Sequence, residues 1–381
     1  MSDSNSHFGR AILDRRLDAV SADVEAFRDF LADAPPDALV AGAIGSLSLF
    51  AAFVGFLLVS PLTVVALLAF LVATGYGWLR HQALTARAVT LAMTASTITI
   101  LGLITVFIFL EAIPVFQYSS GEVFGITVPG LRLFTQTTWE PVSQPQRFSL
   151  VPMIHGTVMV TVIATLVAGP LGVAAALFIS EIAPPKVREA VKPAVEILAG
   201  IPSIVYGFIG FTILSPWASD QFDVVGQGTY LFVGIVVGLM ALPTVVSVAE
   251  DALNSVPESM KSGSLALGTT DWQTMTTITL PAAFSGVSAA VLLGVGRAIG
   301  ETMAATVMLR NSPAIPEKVY NVFYGYETLT SLIASRYGTA HGNHMNALFA
   351  AGVVLFITVM FLSIGSQMIE ARMSRKLGGE E

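Results

Sequence analysis

Seven stretches of this chain contain no aspartate, glutamate, lysine or arginine: residues 38–79, 88–110, 148–180, 197–219, 224–249, 272–296 and 337–369. No other feature restricts the fold as much. About 20 consecutive apolar residues cross a bilayer as a helix, which satisfies its own backbone hydrogen bonds in hydrocarbon. The first stretch is twice that length and breaks at Ser60-Pro61, which reads as a helical hairpin. Eight spans are expected, near 39–59, 61–79, 88–110, 151–179, 193–215, 229–249, 282–308 and 345–368. A transmembrane β-barrel would show short alternating segments instead. Charged residues make up only 12% of the chain, against ~25% in a typical soluble domain. The expected fold class is an all-α integral membrane protein.

Basic residues orient it. With the N-terminus inside, the internal segments hold Arg10, Arg15, Arg16, Arg28, Arg80, Arg87, Lys186, Arg188, Lys192, Lys261, Arg372, Arg375 and Lys376. The longer external segments hold only Arg132, Arg147, Arg310, Lys318 and Arg336. Both termini are therefore expected in the cytoplasm. No cleavable leader is expected, because residues 1–37 are rich in acids and lack a short apolar core. A net charge of −7 argues against nucleic-acid binding, and with no cysteine there are no disulfides or thiolate metal sites.

The tail 1–37 carries Leu13, Leu17, Val20, Val24, Phe27 and Leu31, one face of an amphipathic helix ended by Pro35-Pro36. It would pack on the rest of the chain or dock another subunit. The hairpin 38–80 follows. External loops 111–147 and 309–343 mix aromatic, Pro and Gly residues and are expected to be ordered, either capping the bundle or receiving an external delivery protein. His155, His341 and His344 lie near the outer edge without metal-ligand spacing. Lys192 is expected to pair with Glu196, one helical turn on.

The internal loop 250–281, EDALNSVPESMKSGSLALGTTDWQTMTTITLP, carries two capping patterns. Ser255 with Glu258 has the form of a capping box, with Pro257 in the first turn. Thr270 with Gln273 offers a second box, and Gly268 suits a left-handed bend between two short helices. This loop reads as a rigid, cytosol-facing handle that ends where Pro281 precedes the next span.

Arg297 and Glu301 stand inside the otherwise apolar seventh span, the arginine about sixteen residues in. An arginine at mid-bilayer costs ~2.5–3.5 kcal/mol to insert, so it faces a bundle interior or an aqueous path. Glu301 is one turn on and can reach it. One reading is a self-neutralising pair that locks a helix. The other is a transient anion site, since the guanidinium fork matches two oxygens of an oxyanion. Thr302 adjoins it. GIPSIVYGFIG (200–210) is a second path candidate: Gly and Pro tolerate a local break where backbone lines a cavity. Ser203 and Tyr206 there would contact substrate or form a gate.

Gly268, Ile278 and Leu280-Pro281 resemble the G-x9-I-x-LP half of the "EAA loop" of ABC importer permeases; Ser262-Gly263-Ser264 replace its first half. SEIAPPKVREAVKPAVEILAGIPSIVYGFIG (180–210), EDALNSVPESMKSGSLALGTTDWQTM (250–275), GRAIGETMAATVMLRN (296–311) and TTWEP (137–141) resemble the PstC family of phosphate-importer permeases. The resemblance implies a six-helix type I ABC importer permease core over 88–376, with the hairpin as an addition. It also implies a coupling loop in which Glu258, Leu267, Gly268, Asp271, Trp272, Ile278 and Pro281 meet an ATPase. The implied partners are a PstA-like second permease, a PstB-like ATPase dimer and a PstS-like external phosphate-binding protein. No cofactor is expected in this subunit: ATP and Mg would bind the ATPase, and none of Lys186, Lys192, Lys261, Lys318 and Lys376 follows a glycine, as a phosphate loop requires. The chain is thus expected not to be an enzyme itself. The alternatives are the sister permease, a permease for another oxyanion, or a secondary anion transporter or channel using Arg297–Glu301 as a relay. A lone transporter has no evident use for the handle.

Overall fold

The computed structural model describes residues 34–222 and 228–376; the amphipathic pattern over 13–31 lies outside them. The chain divides into two units, one ending at Ile104 and one beginning at Thr105.

In the first unit, helix α1 (Pro36–Leu57) opens on a proline, whose missing N–H costs nothing in a first turn. A turn through Ser60-Pro61 leads to α2 (Leu62–Arg80). The Ser60 N–H donates to the Gly55 carbonyl at 2.8 Å and the Thr63 hydroxyl donates to the Ser60 carbonyl at 2.7 Å, closing the hairpin. At its other end His81 Nε2 lies 2.8 Å from the Asp37 carboxylate. Most large side chains of this hairpin are exposed, as Leu47, Phe50, Phe56 and Leu71 are. A helix apolar on every side suits lipid. The long α3 (Gln82–Tyr118) begins here and ends in the second unit.

The second unit continues with a β-hairpin, β1 (Gly121–Val123) and β2 (Ile126–Val128), and a short α4 (Leu131–Thr135). Helix α5 (Val151–Leu177) runs on through a π-helical turn to Ile182. Then come α6 (Pro185–Gly200), α7 (Ser203–Ile209) with a π-helical turn to Leu214, α8 (Ser215–Phe222) and α9 (Tyr230–Asn254). The handle holds α10 (Glu258–Ala266), α11 (Asp271–Thr274) with a π-helical turn to Thr279, and α12 (Leu280–Ala282). The last elements are α13 (Phe284–Ile299), α14 (Met303–Met308), α15 (Leu329–Arg336) and α16 (Asn343–Lys376).

Helix α5 is the spine. Three buried clusters lie along it: Met153 with Leu133, Trp139, Phe148 and Leu332; then Val160 and Ala164 with Tyr230, Val233 and Met308; then Ala176 with Val245, Leu253 and Val287. It packs along α9 through small residues. A Cβ on Gly238 would lie 2.9 Å from the Ala164 carbonyl oxygen, so the backbones approach as only glycine allows. The loops 111–147 and 309–343 are ordered over this packing, with Leu133, Trp139 and Leu332 buried.

Six described helices are long and apolar enough to cross a membrane, and the number reaches eight if two bent pairs each count as one span. The bends correct two expected spans. The one placed at 193–215 straddles an 89° corner between α6 and the segment from Ser203 to Phe222. Pro202 biases Ile201 to extended backbone, which ends α6. The span placed at 282–308 is interrupted at residues 300–302, and α13 itself follows a 72° bend after Ala282.

Candidate functional site

Helix α13 stops because Gly300 caps its C-terminus, and Glu301 and Thr302 lie outside either helix, between α13 and α14. Arg297 and Glu301 therefore do not sit on one continuous helix face, and the expected pair does not form. Glu301 Oε1 accepts the Ala304 N–H at 3.1 Å instead, so its carboxylate serves the start of α14, where negative charge is favoured. The Glu301 carbonyl accepts the Thr330 hydroxyl at 2.7 Å. Thr302 lies half-buried on the same break, its hydroxyl donating to the Gly300 carbonyl at 3.1 Å.

Arg297 is left exposed near the end of α13. Among the described residues its side chain makes no ion pair, and no hydrogen bond engages it. It lies about 20 Å along α13 at 1.5 Å per residue. It stands within electrostatic reach of the Tyr206 phenol.

The two path segments meet. A Cβ on Gly207 would lie 2.8 Å from the Ala304 Cα, so α7 seats directly on α14, beside the break. Gly210 is likewise filled by Met308. Ser203 is half-buried in the first turn of α7. Tyr206 latches the corner, its hydroxyl donating to the Leu198 carbonyl at 3.0 Å. Arg297, Tyr206, Glu301 and Thr302 are thus gathered around two helix interruptions. Thr330 also belongs to this group; lying 29 residues from Glu301, it had no sequence signal.

At the handle, Gly268 adopts φ +87 with nothing within 4 Å of an added Cβ. Glycine is needed there for backbone, not for space. Thr270 and Gln273 form the expected capping box. Ser255 does not form the other one: α9 runs on to Asn254 and takes Ser255 as its C-cap, in helical backbone that an N-cap cannot use. Pro257 occupies the N-cap of α10 without a side-chain bond, and Glu258 follows it. Ser264, Thr269 and Thr274 instead tie the bend with hydroxyl contacts of 2.8 Å. Leu267 (88%), Trp272 and Asp271 face outward, while Ile278 and Pro281 are half-buried.

Two ion pairs anchor this end, neither foreseen. Lys192 pairs with Glu250 at 3.1 Å rather than with Glu196. Lys261 pairs with Glu181 at 2.7 Å. At the opposite end of α5, Glu327 is fully buried and pairs with Arg336 at 3.2 Å. His155 Nε2 lies 2.7 Å from the Val319 carbonyl, and His344 packs against Trp139 and Phe148.

Residues 168–375 match the family described as binding-protein-dependent transport system inner membrane component. The chain is similar to the probable ABC transporter permease protein YqgH of Bacillus subtilis, with 40% identity over 60% of this chain and 74% of that protein. It is also similar to the phosphate transport system permease protein PstC of Xylella fastidiosa, at 33% identity over 66% of this chain and 82% of that one. Its fold is like that of a chain in the crystal structure of a bacterial alginate ABC transporter, with a TM-score of 0.52 at 16% identity, covering 79% of this chain and 98% of that one. The chain belongs to the family of inner-membrane components of binding-protein-dependent transport systems, the permease subunits of ABC importers.

Proposed function

We propose that this permease carries phosphate, that Arg297 is the residue meeting the anion as it passes, and that the chain lies in a prokaryotic plasma membrane with both termini cytoplasmic. One observation carries the site: a charged side chain within an apolar helix is exposed and, among the described residues, has no ion-pair or hydrogen-bond partner. In hydrocarbon that arrangement is costly, so Arg297 faces a water-filled path completed by a second subunit. Its planar fork matches two oxygens of an oxyanion. Glu301 Oε1 is held by the Ala304 N–H, which leaves the carboxylate's other oxygen to accept a proton from the substrate. Phosphate keeps at least one proton at neutral pH and sulfate keeps none, so this acceptor discriminates between them. Tyr206 and Ser203, seated on α14 through Gly207, would form the gate beside it.

The relatives named PstC support phosphate as the cargo. By the same reading the partners are a PstA-like permease, a PstB-like ATPase dimer that binds ATP and Mg, and a PstS-like binding protein. The handle, with Glu258, Leu267, Gly268, Asp271, Trp272, Ile278 and Pro281, is where the ATPase would dock; Leu267 and Trp272 are apolar side chains left in the open. The test is uptake by the complex reconstituted with its genomic neighbours in proteoliposomes. ATP-dependent uptake of phosphate, with sulfate excluded, is expected. Preferential uptake of sulfate or another oxyanion would overturn the assignment.

A further inference from the structure

Helix α5 with its terminal π-helical turn runs unbroken for 32 residues, Val151–Ile182. At 1.5 Å per residue that is about 48 Å. Its two ends touch the two places on which transport depends. Near its start, Thr157 Oγ1 accepts the Leu329 N–H at 3.0 Å, and the next residue, Thr330, holds the Glu301 carbonyl at 2.7 Å. Gly156 lies against the Glu327 carbonyl, leaving no room for a side chain. At its far end Glu181 Oε1 meets Lys261 Nζ, on α10 of the handle, at 2.7 Å. Both side chains are only about 15% exposed (15% and 14%), so water does not screen the pair as it screens a surface one.

The same end is braced. Ser180 Oγ lies 2.9 Å from both Glu181 Oε1 and Asn254 Oδ1, and the Arg188 guanidinium donates to the Ser180 carbonyl. Glu181 is thereby held in place to receive Lys261. The backbone also joins the handle to α9, and among the described residues the Lys261–Glu181 contact is the ion pair that fastens it to α5.

We infer that Lys261 and Glu181 form a clamp that passes movement of the handle to α5, which carries it to the Glu301 break through Thr157, Leu329 and Thr330. The inference rests on the handle being the ATPase dock. Both residues are positioning residues, since neither touches the anion. An ion pair of 2.7 Å suits the task because it resists sliding, whereas purely apolar contacts allow small shears.

The test is the ratio of phosphate taken up to ATP hydrolysed by the full complex in proteoliposomes. Glu181→Gln, Lys261→Met and the swap Glu181→Lys/Lys261→Glu are compared with the native chain at equal permease content. The single variants are expected to keep ATP hydrolysis while the ratio falls about ten-fold, within the usual range of coupling between sites. The swap should recover most of it. An unchanged ratio in the single variants overturns the clamp. A fall that the swap does not repair overturns it as well, because the loss then lies outside the pairing. The docking reading is checked separately: if a cysteine in place of Leu267 never cross-links to the ATPase in the otherwise native complex, that reading fails whatever the ratio does.

Discussion

Arg297 and Glu301 are four residues apart yet do not meet, because α13 ends at Gly300 and the carboxylate turns to the α14 backbone. This separates their effects. Glu301→Gln keeps an acceptor for the Ala304 N–H and should insert at native abundance. Glu301→Ala removes it and should cost about 1 kcal/mol, as lost helix caps do. Detergent-solubilised thermal unfolding checks both; equal stability would mean the cap contributes nothing.

A second residue-scale prediction concerns Glu327. Burial pushes its carboxyl up, against the pull of Arg336. A carboxyl raised in the folded state favours folding fully below its unfolded value, about 4.3, and that contribution is lost as pH rises through the folded value. Arg336→Met strands the buried carboxylate and should cost ~3–5 kcal/mol at neutral pH. The deficit should shrink as pH falls and the carboxyl takes a proton, whereas Glu327→Gln should show no such pH dependence. Unfolding measured across pH decides it, and a pH-independent deficit in Arg336→Met would contradict the assignment.

Among the elements, the handle shows what a sequence can and cannot disclose. Gly268 and the Thr270–Gln273 box were legible because both are local: one residue's backbone preference and one three-residue reach. The Ser255 box was misread, since the same residue can end one helix or begin another, and the extension of α9 to Asn254 decides which. At 200–202 the Gly and Pro announced a break but not an 89° corner. At 300–302 the apolar run hid the break, although Gly300 followed by Glu and Thr has the composition of a stop and a start. The pairs Lys261–Glu181 and Lys192–Glu250 join residues 80 and 58 apart, beyond any local pattern. For the handle itself, a Cβ added at Gly268 meets no atom within 4 Å, so Gly268→Val should fold with about 1–2 kcal/mol of backbone strain. Altered angling of α10 on α11 should then leave ATP hydrolysis running while uptake falls. Unchanged uptake at equal abundance would reduce the loop to a connector.

For the whole molecule, composition alone identified a helical membrane protein, and the charge-free runs located its long helices, although α3 and α16 run six to eight residues past their expected ends because charged and polar residues continue the helix beyond the apolar run. Sidedness can be tested directly because the chain has no cysteine. Val142→Cys, at a side chain 92% exposed, should react with a membrane-impermeant maleimide only from outside. Ser262→Cys, exposed on α10, should react only from the cytosol. The reverse pattern at either would overturn the topology.

The claim on which the rest depends is that Arg297 meets the anion, and radiolabelled phosphate uptake by the reconstituted complex carrying Arg297→Leu tests it most directly. Among the described residues Arg297 has no ion-pair partner whose charge its removal would strand, so permease abundance and complex assembly should be native. Uptake per permease should nevertheless fall to background, with Arg297→Lys restoring part of it by keeping the charge without the fork. Native phosphate uptake by Arg297→Leu would contradict the account.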